Sequence, residues 1–158
     1  MKELKAGDYF RDFTGPLGNA SELVEEDIEE LKKKKILFVG GGVGAAPVYP
    51  QVKWLHEHGV DADVIIGSKT KDMLILEKEM EAVSGNYYPC TDDGSYGHAG
   101  MVTTMVEELV EKGNKYDVCI AIGPMIMMKF VCKLTKELGI PTIVSLNPIM
   151  VDGTGMCG

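Results

Sequence analysis

The sequence predicts an α/β domain, a three-layer sandwich around a five-stranded parallel sheet in the strand order 3-2-1-4-5. Three observations carry that reading. From residue 36 onward, short apolar runs alternate with amphipathic stretches, the pattern of successive βαβ units. The run Val118-Cys119-Ile120-Ala121-Ile122 is apolar throughout, as a strand buried on both faces has to be. Gly59, Gly113 and Gly139 each close an amphipathic stretch just before the next apolar run. Right-handed crossovers then select a Rossmann-like arrangement.

Each element can be justified in turn. The first strand is Ile36-Leu37-Phe38-Val39, which ends at a glycine cluster. A helix follows from about Pro47, where the first helical turn tolerates proline, and stops at Gly59. Residues 62–67 read as the second strand, and 71–84 as a helix with Leu74, Leu76, Met80 and Val83 near one face. Residues 86–91 form a short third strand, and Pro89 within it marks an edge. Helices over 101–112 and 124–138 flank the 118–122 strand, and 142–145 is the last strand. Before the repeat, residues 21–35 are acidic first and basic last, which suits the dipole of a solvated connecting helix.

Composition limits the function. The 158 residues suffice for one domain with its own core, and 45% apolar with 25% charged residues is ordinary for a soluble protein. A net charge of −8 argues against a nucleic-acid partner. No apolar run is long enough for a membrane span, and residues 1–20 lack the pattern of a secretory signal, so a cytoplasmic location is expected. Cys90, Cys119, Cys132 and Cys157 form no CxxC pair, and Cys119 and Cys132 fall in apolar segments, where reduced core thiols are expected. His56 and His58 close a helix, and His98 stands in a glycine-rich loop without an evident partner, so no histidine metal site is indicated.

The chemistry is concentrated in Gly40-Gly41-Gly42-Val43-Gly44-Ala45, which follows a strand, opens a helix and fits G-x-G-x-x-A. Glycines there allow a tight turn and close backbone approach, while the helix amino-terminus offers free N–H groups to a phosphate. The bland alternative, a turn that needs glycine only for positive φ, leaves the other glycines unexplained. An acid that accepts hydrogen bonds from a ribose belongs at the carboxyl end of the second strand. Asp61 and Asp63 have the spacing but lie at the other end of that strand. At the carboxyl end stand Ser68, Lys69, Thr70 and Lys71, which suit a 2′-phosphate unless the lysines are merely solvated.

Four segments, Gly40–Pro47 (GGGVGAAP), Gly67–Leu76 (GSKTKDMLIL), Thr91–Gly100 (TDDGSYGHAG) and Ile122–Met128 (IGPMIMM), together resemble the NAD(P)-binding domain of the ferredoxin–NADP reductase superfamily. Within it the likeness is to the flavin-bearing small subunit of NADH-dependent reduced ferredoxin:NADP oxidoreductase, also described as a sulfide dehydrogenase subunit. The electron-transfer subunit of dihydroorotate dehydrogenase and the diaphorase subunit of cytoplasmic hydrogenases are related branches. The resemblance implies that Gly40, Gly41, Gly42, Val43, Gly44, Ala45 and Ala46 cradle the pyrophosphate of NAD(P)H. It puts Ser68, Lys69 and Asp72 beside the adenosine ribose, and Asp92, Asp93, Gly94, Ser95 and Tyr96 along the nucleotide. Gly123, Pro124 and Met128 would line the nicotinamide side. Many members carry cysteine immediately before that Gly-Pro; here it is Ile122, so no thiol is expected to assist there.

The resemblance also implies domain limits. Residues 1–20, with Gly15-Pro16-Leu17-Gly18, look like the remnant of a preceding flavin-binding barrel; 21–35 connect it to the NAD(P)-binding domain at 36–146. Residues 147–158 look like the start of a two-iron, two-sulfur (2Fe–2S) cluster loop, with Cys157 and Asp152 as ligands. Such a cluster needs about four ligands, more than this loop supplies. The expected function is therefore electron transfer from NAD(P)H to FAD, to a 2Fe–2S cluster and on to a larger redox subunit or ferredoxin. FAD and the cluster would be held only by a longer protein, and the chain by itself would be inactive. Two alternatives remain open on the sequence: a non-catalytic NAD(P)-sensing module, and a Rossmann-like domain for another phosphate ligand.

Overall fold

All five expected strands are present in the computed structural model, which describes residues 5–9 and 21–146. They are β1 (Ile36–Gly41), β2 (Ala62–Ser68), β3 (Asn86–Thr91), β5 (Val118–Ile122) and β6 (Thr142–Val144). One strand more than expected, β4 (His98–Ala99), pairs with Cys90 and Thr91. The sheet is parallel throughout, in the order β4-β3-β2-β1-β5-β6. Two residues are too few for periodicity to reveal, and residues 92–97 return the chain without the long crossover that parallel neighbours ordinarily need. Thus β3 is not the outermost strand. Its Pro89 is still tolerated, because β4 starts opposite Cys90 and leaves no strand beside Pro89 on that side.

Residues 26–146 make one compact unit, and the described residues before Glu26 belong to another, which contains a 3-10 turn at Glu22–Val24. The expected connecting helix over 21–35 is reduced to α1 (Ile28–Leu31), capped by the Asp27 carboxylate, which accepts from the Glu29 amide at 2.8 Å. The expected helix over 71–84 is also shorter. A 3-10 turn spans Lys71–Met73, and α3 (Glu77–Val83) begins only after Leu76, whose φ of 57° is left-handed. The preceding backbone is otherwise engaged: the Lys71 amide donates to the Ser95 hydroxyl at 2.9 Å.

The sheet is covered on both faces. Leu37, Val39, Ile65, Cys119 and Ala121 point to one face, where α4 (Val102–Glu111) and α5 (Met125–Glu137) bury Val106, Leu109 and Val131 against them. The alternate residues, such as Phe38 and Ile66, face the other way. There α2 (Ala45–Glu57) buries Val48, Val52 and Leu55, at the three- and four-residue spacing of one helix face, and α3 contributes Met80. Each such side chain contributes roughly 1.5–3 kcal/mol by leaving water. Cys119 is buried as expected, Cys132 is only half-buried, and Cys90 on β3 is buried as well; all three are free thiols. Burial pushes the Cys90 and Cys119 thiols up to about 12, so both stay protonated at neutral pH.

The amino end of the sheet is closed by one buried carboxylate. Asp63, 2% exposed, accepts from the Tyr116 hydroxyl and the Asn86 amide at 2.8 Å each, and pairs with the Lys35 ammonium at 2.9 Å. Lys35 and Asp117 exchange backbone and side-chain bonds just outside it, so β1, β2, β3 and β5 start from one network. Burial first, and then the bond to Asp63, pushes the Tyr116 hydroxyl pKa upward. Removing Asp63 leaves Tyr116 and Asn86 without their partner, and the cost of breaking a buried pair is about 3–5 kcal/mol. Asp63→Ala is accordingly expected to lose about 3 kcal/mol in urea unfolding, with Tyr116→Phe losing about 1 kcal/mol. Equal stabilities for parent and Asp63→Ala would rule the network out as a stability determinant.

Candidate functional site

The strand order reverses between β1 and β5, and a crevice opens at their carboxyl ends. Two βα connections cross there at the closest approach polypeptide permits. A β-carbon on Gly44 would strike the Ile122 carbonyl oxygen, and one on Gly123 would lie 3.0 Å from the Gly41 amide nitrogen. Gly42, the one loop glycine with a left-handed φ (55°), turns the chain into a 3-10 turn, Gly42–Gly44, that leads into α2. A side chain there would meet nothing within 4 Å. The backbone therefore borders open space at Gly42 and packs tightly behind it.

That space is a cavity of about 710 Å³. Gly41, Gly42 and Val43 form its floor, and Gly67, Ser68, Lys69 and Asp92 one end. Met73 and Ile75 wall one side, and Met101, Ile126, Met127 and Phe130 the other. Three helices begin at it, α2, α4 and α5, whose N-cap positions are Gly44, Met101 and Pro124. None of these carries a side chain that caps the helix, in contrast to Asp27 on α1. In α4 and α5, first-turn amides without side-chain partners attract an anion, aided by the helix dipole; in α2 the Ala45 amide is bonded to the Gly42 and Val43 carbonyls and Pro47 has no amide hydrogen. The walls are apolar, and the attraction for negative charge comes from backbone.

The polar end is tied together by backbone. The Asp92 and Asp93 amides donate to the Ser68 and Lys69 carbonyls at 3.0 and 3.2 Å. The Ser68 hydroxyl donates to the Thr70 carbonyl at 2.6 Å, which leaves its oxygen free to accept. Neither Lys69 nor Asp92 makes an ion pair among the described residues.

The pattern of the family described as oxidoreductase NAD-binding domain matches residues 38–133. This chain belongs to that family. A Clostridium beijerinckii protein, described as an uncharacterized protein in the adh 3′ region, is 66% identical over 153 residues, 96% of this chain and 52% of that protein. A Thermotoga maritima homolog of the dihydroorotate dehydrogenase B (NAD(+)) electron transfer subunit is 47% identical over 98% of this chain and 51% of its own length. The solved NADH-dependent reduced ferredoxin–NADP oxidoreductase, studied for flavin-based electron bifurcation, superposes with a TM-score of 0.75 at 44% identity. That match covers 98% of this chain and 52% of the other. The chain thus spans about half the length of the relatives it matches, and its fold is that of ferredoxin–NADP reductase-like NAD-binding domains. No helix among the described residues is long and apolar enough to cross a membrane.

The NAD-binding domain brings together only some of the residues singled out in the sequence. Gly41, Gly42, Val43, Ser68, Lys69, Asp92 and Pro124 line the cavity. Gly44 and Gly123 lie behind it in close backbone contact and Gly40 against the Ile66 side chain, Ala45 is buried at the start of α2, and Ala46 is exposed on α2. Asp72 is exposed in the 3-10 turn, outside the cavity lining. Asp93, Gly94, Ser95 and Tyr96 also stand off the cavity, and Ser95 and Tyr96 brace the segment after β2. The Lys71 ammonium sits over the Tyr96 ring at 4.6 Å, and the Tyr96 hydroxyl donates to Glu77 at 3.2 Å. Ser95 hydrogen bonds, hydroxyl first and amide second, hold the Asp93 carboxyl below the usual range. Met128 is buried in the core, and Met127 takes the place at the cavity. Asp152 and Cys157 lie outside the described residues.

The sequence reasoning missed Gly67, Met73, Ile75, residues 100–103, Ile126, Met127 and Phe130. A signal existed for α5: Met128, Val131 and Thr135 keep the spacing of its core stripe, so Met127 and Phe130 had to face elsewhere. His98 does have partners, Thr104 and Glu108. The two loop glycines make separable demands. Gly44→Ala must push Ile122 away and is expected to lose about 2 kcal/mol or more. Gly42→Asn, a residue that tolerates a left-handed φ, is expected to cost about 1 kcal/mol or less. Urea unfolding of both variants checks this, and the reverse ranking would contradict the close approach at Gly44.

Proposed function

We propose that this chain is the NAD(P)H-holding part of a longer flavoprotein that passes electrons from NAD(P)H through FAD and a 2Fe–2S cluster to a larger redox subunit or ferredoxin. The observation that carries the reading is the convergence of two uncapped helix amino-termini, those of α4 and α5, and of the glycine loop with its open Gly42 on one apolar cavity. A dinucleotide needs that combination: amides for the pyrophosphate, apolar walls for two planar ring systems, and polar groups for a ribose. The residues present fit NAD(P)H. In this reading the loop from Gly40 to Ala46 holds the pyrophosphate. Ser68, Lys69 and Asp92 meet the adenosine ribose, and Gly123 and Pro124 border the nicotinamide. The bound nucleotide supplies the hydride chemistry, and the protein orients its ring and keeps water away. Ile122 precedes Gly123, and neither Cys90, Cys119 nor Cys132 lines the cavity.

FAD and the cluster belong to the longer protein, as the relatives' half-length match and their electron-transfer descriptions support. Among the described residues no group of His, Cys, Asp or Glu could hold a metal ion.

Cofactor choice turns on two opposed charges. Lys69 attracts a 2′-phosphate, while the Asp92 carboxylate at the same end of the cavity repels it and accepts from a ribose hydroxyl. Ser68 to Lys71 suit a 2′-phosphate, as the sequence suggests, and the Asp92 carboxylate offsets that attraction. Calorimetric titration with NADH and NADPH is expected to show binding of both. Gly42→Asn should weaken each by about tenfold or more, since its side chain enters the phosphate space. Lys69→Ala should weaken NADPH alone, and Asp92→Asn should strengthen NADPH by about two- to tenfold, both being solvent-screened charges. A folded Gly42→Asn protein that binds both nucleotides like the parent would overturn the proposal.

A further inference from the structure

Two lysines, Lys69 and Lys71, follow β2 closely, but only Lys69 lines the cavity. Thr70 between them is extended, with φ −141° and ψ 163°. Two residues of extended chain span about 7 Å, and a lysine carries its charge on a flexible four-carbon stem. Lys71 is therefore near enough to bring its ammonium to the end of the cavity that Lys69 occupies, yet the ammonium is held elsewhere. It lies over the Tyr96 ring, 4.6 Å from the centroid, and makes no ion pair among the described residues.

The ring is a fixed platform. Thr91, buried at the end of β3, grips the Tyr96 backbone from both sides. Its hydroxyl donates to the Tyr96 carbonyl at 2.7 Å and accepts from the Tyr96 amide at 3.0 Å. The next residue, Gly97 (φ 66°), packs so closely on β3 that a β-carbon there would strike the Pro89 carbonyl oxygen. At the far edge of the ring the Tyr96 hydroxyl donates to Glu77 at 3.2 Å. The Lys71 backbone is fixed as well, its amide donating to the Ser95 hydroxyl at 2.9 Å. The Asp93 carboxylate is taken up by the Ser95 amide, at 2.9 Å, and hydroxyl. With ring and backbone both ordered beforehand, the contact of the cation with the ring costs only the ordering of the lysine stem.

We propose that Tyr96 is a positioning residue for cofactor choice: it draws the Lys71 ammonium off the ribose end of the cavity and so lowers the affinity for a nucleotide with a 2′-phosphate, leaving that for a bare ribose unchanged. With Tyr96 in place one cation faces the Asp92 carboxylate at that end; without it there are two. This rests on the nucleotide reading above.

Titrations of NADH and NADPH at low ionic strength, where screening is weakest, test it. Tyr96→Leu keeps an apolar side chain without a ring face. It should bind NADPH about two- to fivefold more tightly than the parent, the worth of one exposed cation–π contact, with NADH affinity unchanged. The gain should be absent from Tyr96→Phe, which keeps the ring, and from Tyr96→Leu combined with Lys71→Ala, which has no ammonium to release. Without ligand, the Lys71 ε-methylene proton resonances should be shifted upfield by the ring in the parent and in Tyr96→Phe, and not in Tyr96→Leu. An unshifted methylene in the parent, an unchanged NADPH affinity in Tyr96→Leu, a changed NADH affinity, or a gain that survives Lys71→Ala would each overturn the proposal and leave the nucleotide reading standing. A parent that binds neither nucleotide would overturn that reading and this proposal with it.

Discussion

The contact on which the site depends is the one between Gly44 and the Ile122 carbonyl. Adjacent parallel strands β1 and β5 send their chains to opposite faces of the sheet, α2 to one and α5 to the other. For both helix amino-termini to reach one crevice, the two connections must cross over the strand ends without a β-carbon between them. Gly41, Gly44 and Gly123 remove it. Once they do, Gly42 can leave its carbon-free side open to the crevice, directly before the turn that leads into α2.

This arrangement answers an electrostatic difficulty. A chain of net charge −8 has to attract an anionic nucleotide, and among the described residues Lys69 is the one cation that lines the cavity. Each helix amino-terminus carries about half a positive charge, and the amides that carry it are fixed by the fold. Those of α4 and α5, together with the glycine loop before α2, act at short range in an apolar crevice, where screening by salt is weakest. Long basic side chains would cost conformational entropy on ordering; helix ends are ordered beforehand.

The sequence made the repeat and the glycine loop legible because both depend on local pattern. The period of apolar residues located β1, β2, β5, α2 and α5, and the glycines after β1 needed no partner to be recognised. What stayed hidden depends on residues distant in sequence. β4 exists because Cys90 and Thr91 offer an edge to His98 and Ala99, and two residues carry no period. The helix over 71–84 lost its first turns because the amides of Asp92 and Asp93 and the hydroxyl of Ser95 claim residues 68–71. Met128 was assigned to the site by likeness, although its own spacing to Val131 and Thr135 points into the core.

Asp63 shows why spacing without direction misleads. It stands where the count of residues after the glycine loop places an acid for a ribose, yet it lies at the opposite end of β2 from the cavity. Parallel strands all enter at one end and leave at the other. The entry end can be sealed with a charge network, and here Asp63 with Lys35, Asn86 and Tyr116 does so. The exit end must keep its amides unpaired to receive a ligand, and an acid of the same kind there, Asp92, is left without an ion pair among the described residues. The two carboxylates differ in role because one is buried among donors that it satisfies. The other lines the cavity without an ion pair among the described residues. Under the proposed function, stability and recognition are thus separated along the strand axis: variants at Asp63 act on unfolding and variants at Asp92 on nucleotide choice.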